Sequence, residues 1–240
     1  MRSVTETDGV LLVDKAQGMT SHDVVAIARR ALDTKKVGHC GTLDPLATGL
    51  LIITVGRGTK IQDLIMSEDK EYVGTMRLGE TTDSQDADGV VLQTKTVSNF
   101  SRAEIEAAFE KFKGDFYQMP PMVSAIKKNG VPLYKLARQG MEVEREPRFV
   151  RVYASEINEV RLPDVDFRVV CSKGFYVRTF AHDIGADLGC GAHLRSLRRT
   201  KSGRFSVDGA VTVEELKTRP REEIVARILS LPEVSRLRGA

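Results

Sequence analysis

Apolar and polar residues along this chain switch between two spacings, and the switches mark its elements. Val10 to Val13 is a short apolar run that predicts a buried strand. Thr20 then opens a helix. It can cap the first turn, with Asp23 three residues on, and Val24, Ile27, Ala28, Ala31 and Leu32 follow at helical spacing. Leu50 to Val55 predicts a second buried strand, and Thr59 to Ile65 a short helix. Glu71 to Leu78 alternates, so Tyr72, Met76 and Leu78 share one face of a strand. Val90 to Gln93 is expected to pair with it across an acidic loop. Ser101 to Phe112 reads as an amphipathic helix with a serine at its start. Phe149 to Val160 and Val165 to Cys171 read as a hairpin turning at Pro163-Asp164. Tyr176 to Leu188 is predicted helical, and short helices close the chain after Val213. No regular strand–helix–strand beat runs through this order. The expected class is therefore α+β, with a mixed, largely antiparallel central sheet flanked by helices, rather than a doubly wound fold.

At 240 residues and 41% hydrophobic, the chain can bury a sizeable core. Its formal net charge of +3 says little, but the distribution says more. Arg195, Arg198, Arg199, Lys201 and Arg204 follow one another with no acid between them, and Lys127, Lys128, Lys135 and Arg138 form a second basic stretch. The acids gather at Glu80, Asp83, Asp86 and Asp88. Such asymmetry suits a side that faces a polyanion, or else a solvated charged face. Three widely spaced cysteines, Cys40, Cys171 and Cys190, argue against a disulfide framework. No signal peptide opens the chain and no run approaches the length of a spanning helix, so a cytoplasmic protein with no membrane association is expected.

The stretch from Gly38 to Leu50 carries the strongest chemical signal. Asp44 is its one carboxylate, set among three glycines and a proline and followed by an apolar strand. Two readings are open: a turn started by Asp-Pro, or an acid held in a shaped loop for chemistry. Other patterns fail on their own terms. Asp86-Ala87-Asp88-Gly89 resembles part of a calcium loop, but that alignment puts Lys95 where a bidentate glutamate is needed. Ser124-Ala125-Ile126-Lys127 lacks the companion motifs of acyl-transfer enzymes. Cys190 and His193 have metal-like spacing without the other ligands of a site, so no metal is expected. Phosphate-binding and dinucleotide-binding glycine motifs are missing. A lone ionised carboxylate can act as nucleophile or base, and an arginine partner would lower its pKa and orient it. Arg178, in Ser172 to Thr179, would open an otherwise apolar helix. That is a poor place for a cation against the helix dipole, so its role is expected to be local and ionic.

These residues resemble a known family. Gly9 to Lys15, Gly18 to Ser21, Gly38 to Leu50, Asp69 to Tyr72, Pro121 to Lys127, Leu133 to Gly140, Cys171 to Thr179 and Cys190 to Arg199 are similar, in order, to the motifs of the TruB family of bacterial tRNA pseudouridine-55 synthases. The resemblance spans roughly residues 9 to 205. It implies the pseudouridine synthase fold and isomerisation of one uridine in the T-loop of tRNA, without a cofactor. It carries over Asp44 as the catalytic acid, Tyr72 as the aromatic against the target base and Arg178 as the ionic partner of Asp44. His39 would meet the displaced stack, and Tyr176 and Leu197 would line the uridine pocket. Lys15, Arg195, Arg198, Arg199 and Lys201 would grip the RNA backbone. The expected organisation is a flexible stretch over 1–8, a catalytic domain over 9–209 and a helical extension over 210–240. That extension is too short for the small RNA-binding domain many members carry. The expected partner is a tRNA T-stem-loop, with no obligatory protein partner and a monomeric chain. Lys15-Ala16 departs from the Lys-Pro common in the family. Two other classes compete: a tRNA chaperone that leaves uridines unmodified, and a hydrolase that releases uracil.

Overall fold

The computed structural model describes residues 7–124, 126–128, 130–137 and 139–239, with Lys127 through its backbone only. The opening stretch up to residue 6, Arg138 and the Lys127 side chain lie outside the described residues. The chain forms two compact units. The first holds residues 1–72 and 197–240, the second 73–196.

The first unit begins with β1 (Gly9–Lys15), α1 (Ser21–Ala31), β2 (Val37–Cys40) and β3 (Thr48–Val55). Thr20 caps α1 as its sequence predicts. Its hydroxyl accepts the Asp23 N–H, and the Asp23 carboxylate returns a bond to the Thr20 backbone. β3 is buried along nearly its whole length, as an uninterrupted apolar run requires, and β1 and β2 both pair with it antiparallel. After β3 the chain makes a 3₁₀ turn over Gly56–Ile61 and only then α2 (Gln62–Met66). The helix expected over Thr59 to Ile65 therefore starts late and tight. β4 (Lys70–Leu78) follows, and the chain passes into the second unit within it. Tyr72, Met76 and Leu78 are its buried face.

The second unit continues with β5 (Glu80–Thr82), β6 (Val91–Thr94), α3 (Arg102–Glu110), β7 (Gly114–Gln118), β8 (Lys127–Lys128), β9 (Val131–Pro132) and α4 (Leu133–Ala137). β10 (Arg148–Arg161) and β11 (Asp164–Cys171) form the predicted hairpin, and α5 (Val177–Asp187) and β12 (Ala192–Ser202) come next. The pairing expected between Val90 to Gln93 and Glu71 to Leu78 is not formed. The chain turns at Gly79, where φ is +86°, and β6 pairs with β5 instead, while the Leu78 N–H bonds the Pro163 carbonyl. Phe109 of α3, Phe180 of α5 and Phe167 of β11 are buried in this unit and pack edge to face.

The chain re-enters the first unit within β12. It adds β13 (Phe205–Ser206), β14 (Val211–Thr212), α6 (Val213–Thr218), α7 (Arg221–Val225), β15 (Leu229–Ser230) and α8 (Leu231–Arg238). Strand order is β14-β1-β3-β12 in the first unit and β4-β11-β10-β7 in the second. β14 on β1 and β12 on β3 are parallel; the other registered pairs are antiparallel. This is the mixed, largely antiparallel architecture, flanked by helices, that the pattern predicts. The core of the first unit gathers Val10, Leu50, Ile52, Ile65, Phe205 and Val234, so its opening and closing segments meet over β3.

Candidate active site

Asp44 lies in the loop that joins β2 to β3. The two strands are locked in register from Val37↔Val55 to Cys40↔Ile52, so the loop hangs from a stiff base. Backbone groups on both sides of the acid are held. The Ser21 hydroxyl donates to the Leu43 carbonyl (3.0 Å) and accepts the Leu43 N–H (2.9 Å). The Pro45 carbonyl accepts the Gly18 N–H at 2.8 Å and lies 3.4 Å from the Lys15 ammonium. The Ala47 N–H donates to the Asp44 carbonyl at 3.0 Å. Gly49 closes the loop at φ +94°, and a Cβ there would sit 2.3 Å from the Arg199 carbonyl oxygen. Only glycine allows β12 to approach that closely.

The first unit also holds other sequence-predicted residues. His39 is on β2, five positions before Asp44. His22 packs on its ring edge to face, with centroids 5.2 Å apart. Among the described residues no hydrogen-bond partner meets its Nδ1, so packing alone sets the ring. Burial, with smaller contributions from His22 and Arg199, pushes the His39 pKa down to about 4. The ring is therefore neutral near pH 7, which suits stacking better than phosphate attraction. Burial likewise pushes the neighbouring Cys40 thiol up to about 12, which makes it an inert core residue. Leu197 is buried on β12, and its carbonyl accepts the Thr48 hydroxyl at 3.3 Å, at the end of the loop. Tyr72 is buried on β4, beside Glu71, whose carboxylate accepts the Thr200 hydroxyl of β12.

In the second unit Arg178 stands in the first turn of α5 with its side chain buried. It donates to the Ser84 carbonyl (2.8 Å) and to the Val123 carbonyl (2.7 Å), and its Nε lies 3.6 Å from the Asp86 carboxylate. Asp86 is thus one acidic neighbour of Arg178. Asp86 is itself buried: its Oδ1 accepts the Ser84 hydroxyl and the Asp88 N–H. Gln85 between them takes φ +64°, a left-handed conformation uncommon for a side chain of that kind, and accepts the Thr179 hydroxyl. Tyr176 precedes the helix. The buried Gln118 amide holds it by accepting its N–H (2.8 Å) and donating to its carbonyl (3.0 Å).

Two residues expected to grip RNA phosphates cannot do so. Lys15 is 0% exposed, with its ammonium on the Met19 and Ala16 carbonyls as well as beside Pro45. Arg199 is 2% exposed and donates to the Leu50 and Gly41 carbonyls. Lys15 ends β1 and Arg199 lies within β12, and each reaches a carbonyl of the loop around Asp44, Pro45 for Lys15 and Gly41 for Arg199. Arg195 and Lys201 remain exposed, and Arg198 partly so. Each lies beside a carboxylate: Asp164 for Arg195, Asp14 for Arg198 (bidentate, 2.7 and 3.0 Å) and Glu71 for Lys201 (3.6 Å). Sequence reasoning missed Ser21, Asp86 and Gln118. Their partners lie 22 to 92 residues away, and no local spacing marks such pairs.

Comparisons with known proteins show which family the chain is similar to. The family model for the TruB pseudouridylate synthase N-terminal domain matches residues 29–177, and that for the tRNA pseudouridylate synthase B C-terminal domain matches 178–230. The tRNA pseudouridine synthase B of Opitutus terrae is 57% identical over 224 residues, 93% of each chain. That of Syntrophotalea carbinolica is 48% identical over 229 residues, covering 95% of this chain and 75% of its own. Among solved structures, a Cbf5-Nop10-Gar1 complex superposes with TM-score 0.74 at 29% identity over 97% of this chain. An archaeal box H/ACA Nop10-Cbf5 complex gives 0.70 at 30% over 95%. The chain spans 63% and 61% of the lengths of those two solved chains. With most of its length matched by the family models and by relatives at this identity, the chain belongs to the TruB family of pseudouridylate synthases.

Proposed function

We propose that this chain isomerises a uridine of tRNA to pseudouridine, at position 55 in the T-loop, acting alone and without a cofactor. The observation that carries the reading is a single acid, Asp44, in a loop whose backbone is fixed on both sides of it. The reaction breaks the bond from C1′ to N1, turns the base, and joins C5 to C1′. N1 gains a proton and C5 loses one, so no oxidant, reductant or water is consumed. The target atom is shielded in a stacked loop, so the nucleotide must be extruded, and stacking lost in the RNA must be replaced. A neutral His39 ring can face the vacated stack, and Tyr72 can pack on the flipped base. Such contacts contribute roughly 1–3 kcal/mol per base. Tyr176 and Leu197 would line the uridine pocket, and Arg178 would orient charge at the reacting centre. Arg195, Arg198 and Lys201 can exchange their surface carboxylates for phosphates, because exposed ion pairs are weak. Among the described residues no helix is long and apolar enough to cross a membrane, and the proposed location is the cytoplasm, with tRNA.

The test is incubation of the purified chain alone with a T-stem-loop RNA, followed by mapping of every uridine. Pseudouridine at the one T-loop position is expected. Asp44→Asn should fold, bind the RNA and form none; near-normal turnover in that variant would remove Asp44 from the chemistry. Release of free uracil would mark a hydrolase, and remodelled but unmodified tRNA a chaperone.

A further inference from the structure

We infer that Ser21 is a positioning residue for Asp44, fixing the peptide from which the acid projects. The inference rests on the isomerase reading above. Ser21 is the first residue of α1, but the cap of that helix is Thr20. The Ser21 hydroxyl spends its donor and an acceptor on a single distant residue instead, bonding both the carbonyl and the N–H of Leu43. The Leu43 carbonyl belongs to the peptide plane that enters Asp44. The plane that leaves Asp44 is held by the bond from the Ala47 N–H to the Asp44 carbonyl. Pro45 confines the residue before it to extended conformations. With both flanking planes fixed, the Cα–Cβ direction of Asp44 is fixed as well. Ser21 is buried, so water is poorly placed to replace its hydroxyl. α1 gives it a rigid anchor, since Val24, Val25, Ile27 and Ala28 of that helix are buried in the first unit.

The test compares wild type, Ser21→Ala and Thr212→Ala. Thr212 caps α6 in the same unit, where its hydroxyl accepts the Glu215 N–H, so it reports the effect of losing one capping hydroxyl on stability. Single-turnover pseudouridine formation at saturating enzyme, RNA affinity, and hydrogen exchange of the Leu43 amide are measured for each. Ser21→Ala should slow the chemical step by about ten- to a hundredfold, the scale of a displacement near 1 Å at a reacting group. RNA affinity should stay within about threefold, because remote contacts are untouched. Leu43 exchange should rise by about tenfold or more, while Thr212→Ala matches wild type in all three. A Ser21→Ala rate within about twofold of wild type overturns the inference. So does a parallel loss of rate and RNA affinity, which would mark a merely structural residue. If wild type itself forms no pseudouridine, the isomerase reading fails. The Leu43 exchange comparison then decides the clamp by itself: faster exchange supports it, and unchanged exchange overturns it.

Discussion

Asp86→Asn isolates the charge facing Arg178 from the hydrogen bonds around it. Both side chains of the pair are almost wholly buried, 4% and 6% exposed, with Nε and Oδ2 3.6 Å apart. At an effective dielectric of about 20, that separation corresponds to roughly 4–5 kcal/mol of attraction. Burying the carboxylate costs several kcal/mol of lost hydration, which the neutral amide largely avoids. The expected net loss of stability is therefore about 1–3 kcal/mol. An asparagine oxygen can still accept the Ser84 hydroxyl and the Asp88 N–H, which both end on Oδ1. Asp86→Ala removes that acceptor as well, and a stranded buried donor adds about 1–3 kcal/mol. The order of stability should be wild type, Asn, then Ala, read from urea midpoints with unchanged m-values. Arg178 keeps its bonds to the Ser84 and Val123 carbonyls in both variants, so RNA affinity should hold while single-turnover rate falls with the guanidinium's altered setting. Wild-type stability in Asp86→Asn would show that the 3.6 Å pair contributes nothing. Equal losses in the Asn and Ala variants would assign the whole effect to the charge and none of it to the Ser84 and Asp88 bonds.

Arg199→Lys should lower Tm, because one ammonium cannot reproduce the bonds to the Leu50 and Gly41 carbonyls at 2.7 and 3.0 Å; a loss of about 1–3 kcal/mol corresponds to several degrees in a chain of this size. An unchanged Tm with a shallower salt dependence of RNA binding would return Arg199 to the phosphates. His39 supplies a pH signature, its folded pKa lying near 4 against an ordinary 6.5. Above pH 6.5 the ring is neutral in folded and unfolded chains alike. As pH falls toward 4 the unfolded chain takes up a proton the folded one refuses, so stability declines across that window by at most ~3 kcal/mol, less where the ring meets solvent. His39→Gln should flatten this part of the stability curve, and identical acid limbs in the two proteins would show that the ring is not desolvated.

The periodic elements were legible because local sequence determines them. Thr20 and Asp23 form the expected capping box, Ser101 forms another with Glu104, and the hairpin turns where Pro163-Asp164 stands. Val37 to Cys40 escaped notice as a strand, since four residues containing a glycine and a histidine carry little periodic signal. The partner of Val91 to Thr94 was misjudged for a different reason. Strand pairing is decided by turns, and the positive φ of Gly79 sends the chain to Glu80–Thr82 instead of back along Glu71 to Leu78.

The candidate site divides along the same line. Asp44 was visible because a carboxylate among glycines and a proline is a local anomaly. The groups that hold it were not, and two were misassigned in an instructive way. A run of arginines and lysines reads as a polyanion surface only if all its side chains point outward. Once the run is a strand, its side chains no longer share one surface: Arg199 is buried while Arg198 is half-buried and Lys201 exposed. A buried cation must find acceptors, and the irregular loop around Asp44 is rich in carbonyls left without ladder partners. Lys15 meets three carbonyls and Arg199 two. The irregular loop that carries Asp44 and the buried cations that reach its carbonyls are thus complementary consequences of one requirement, that buried backbone groups find partners. It follows that replacing either cation with an apolar residue of similar size should disturb the Asp44 loop more than the helices around it.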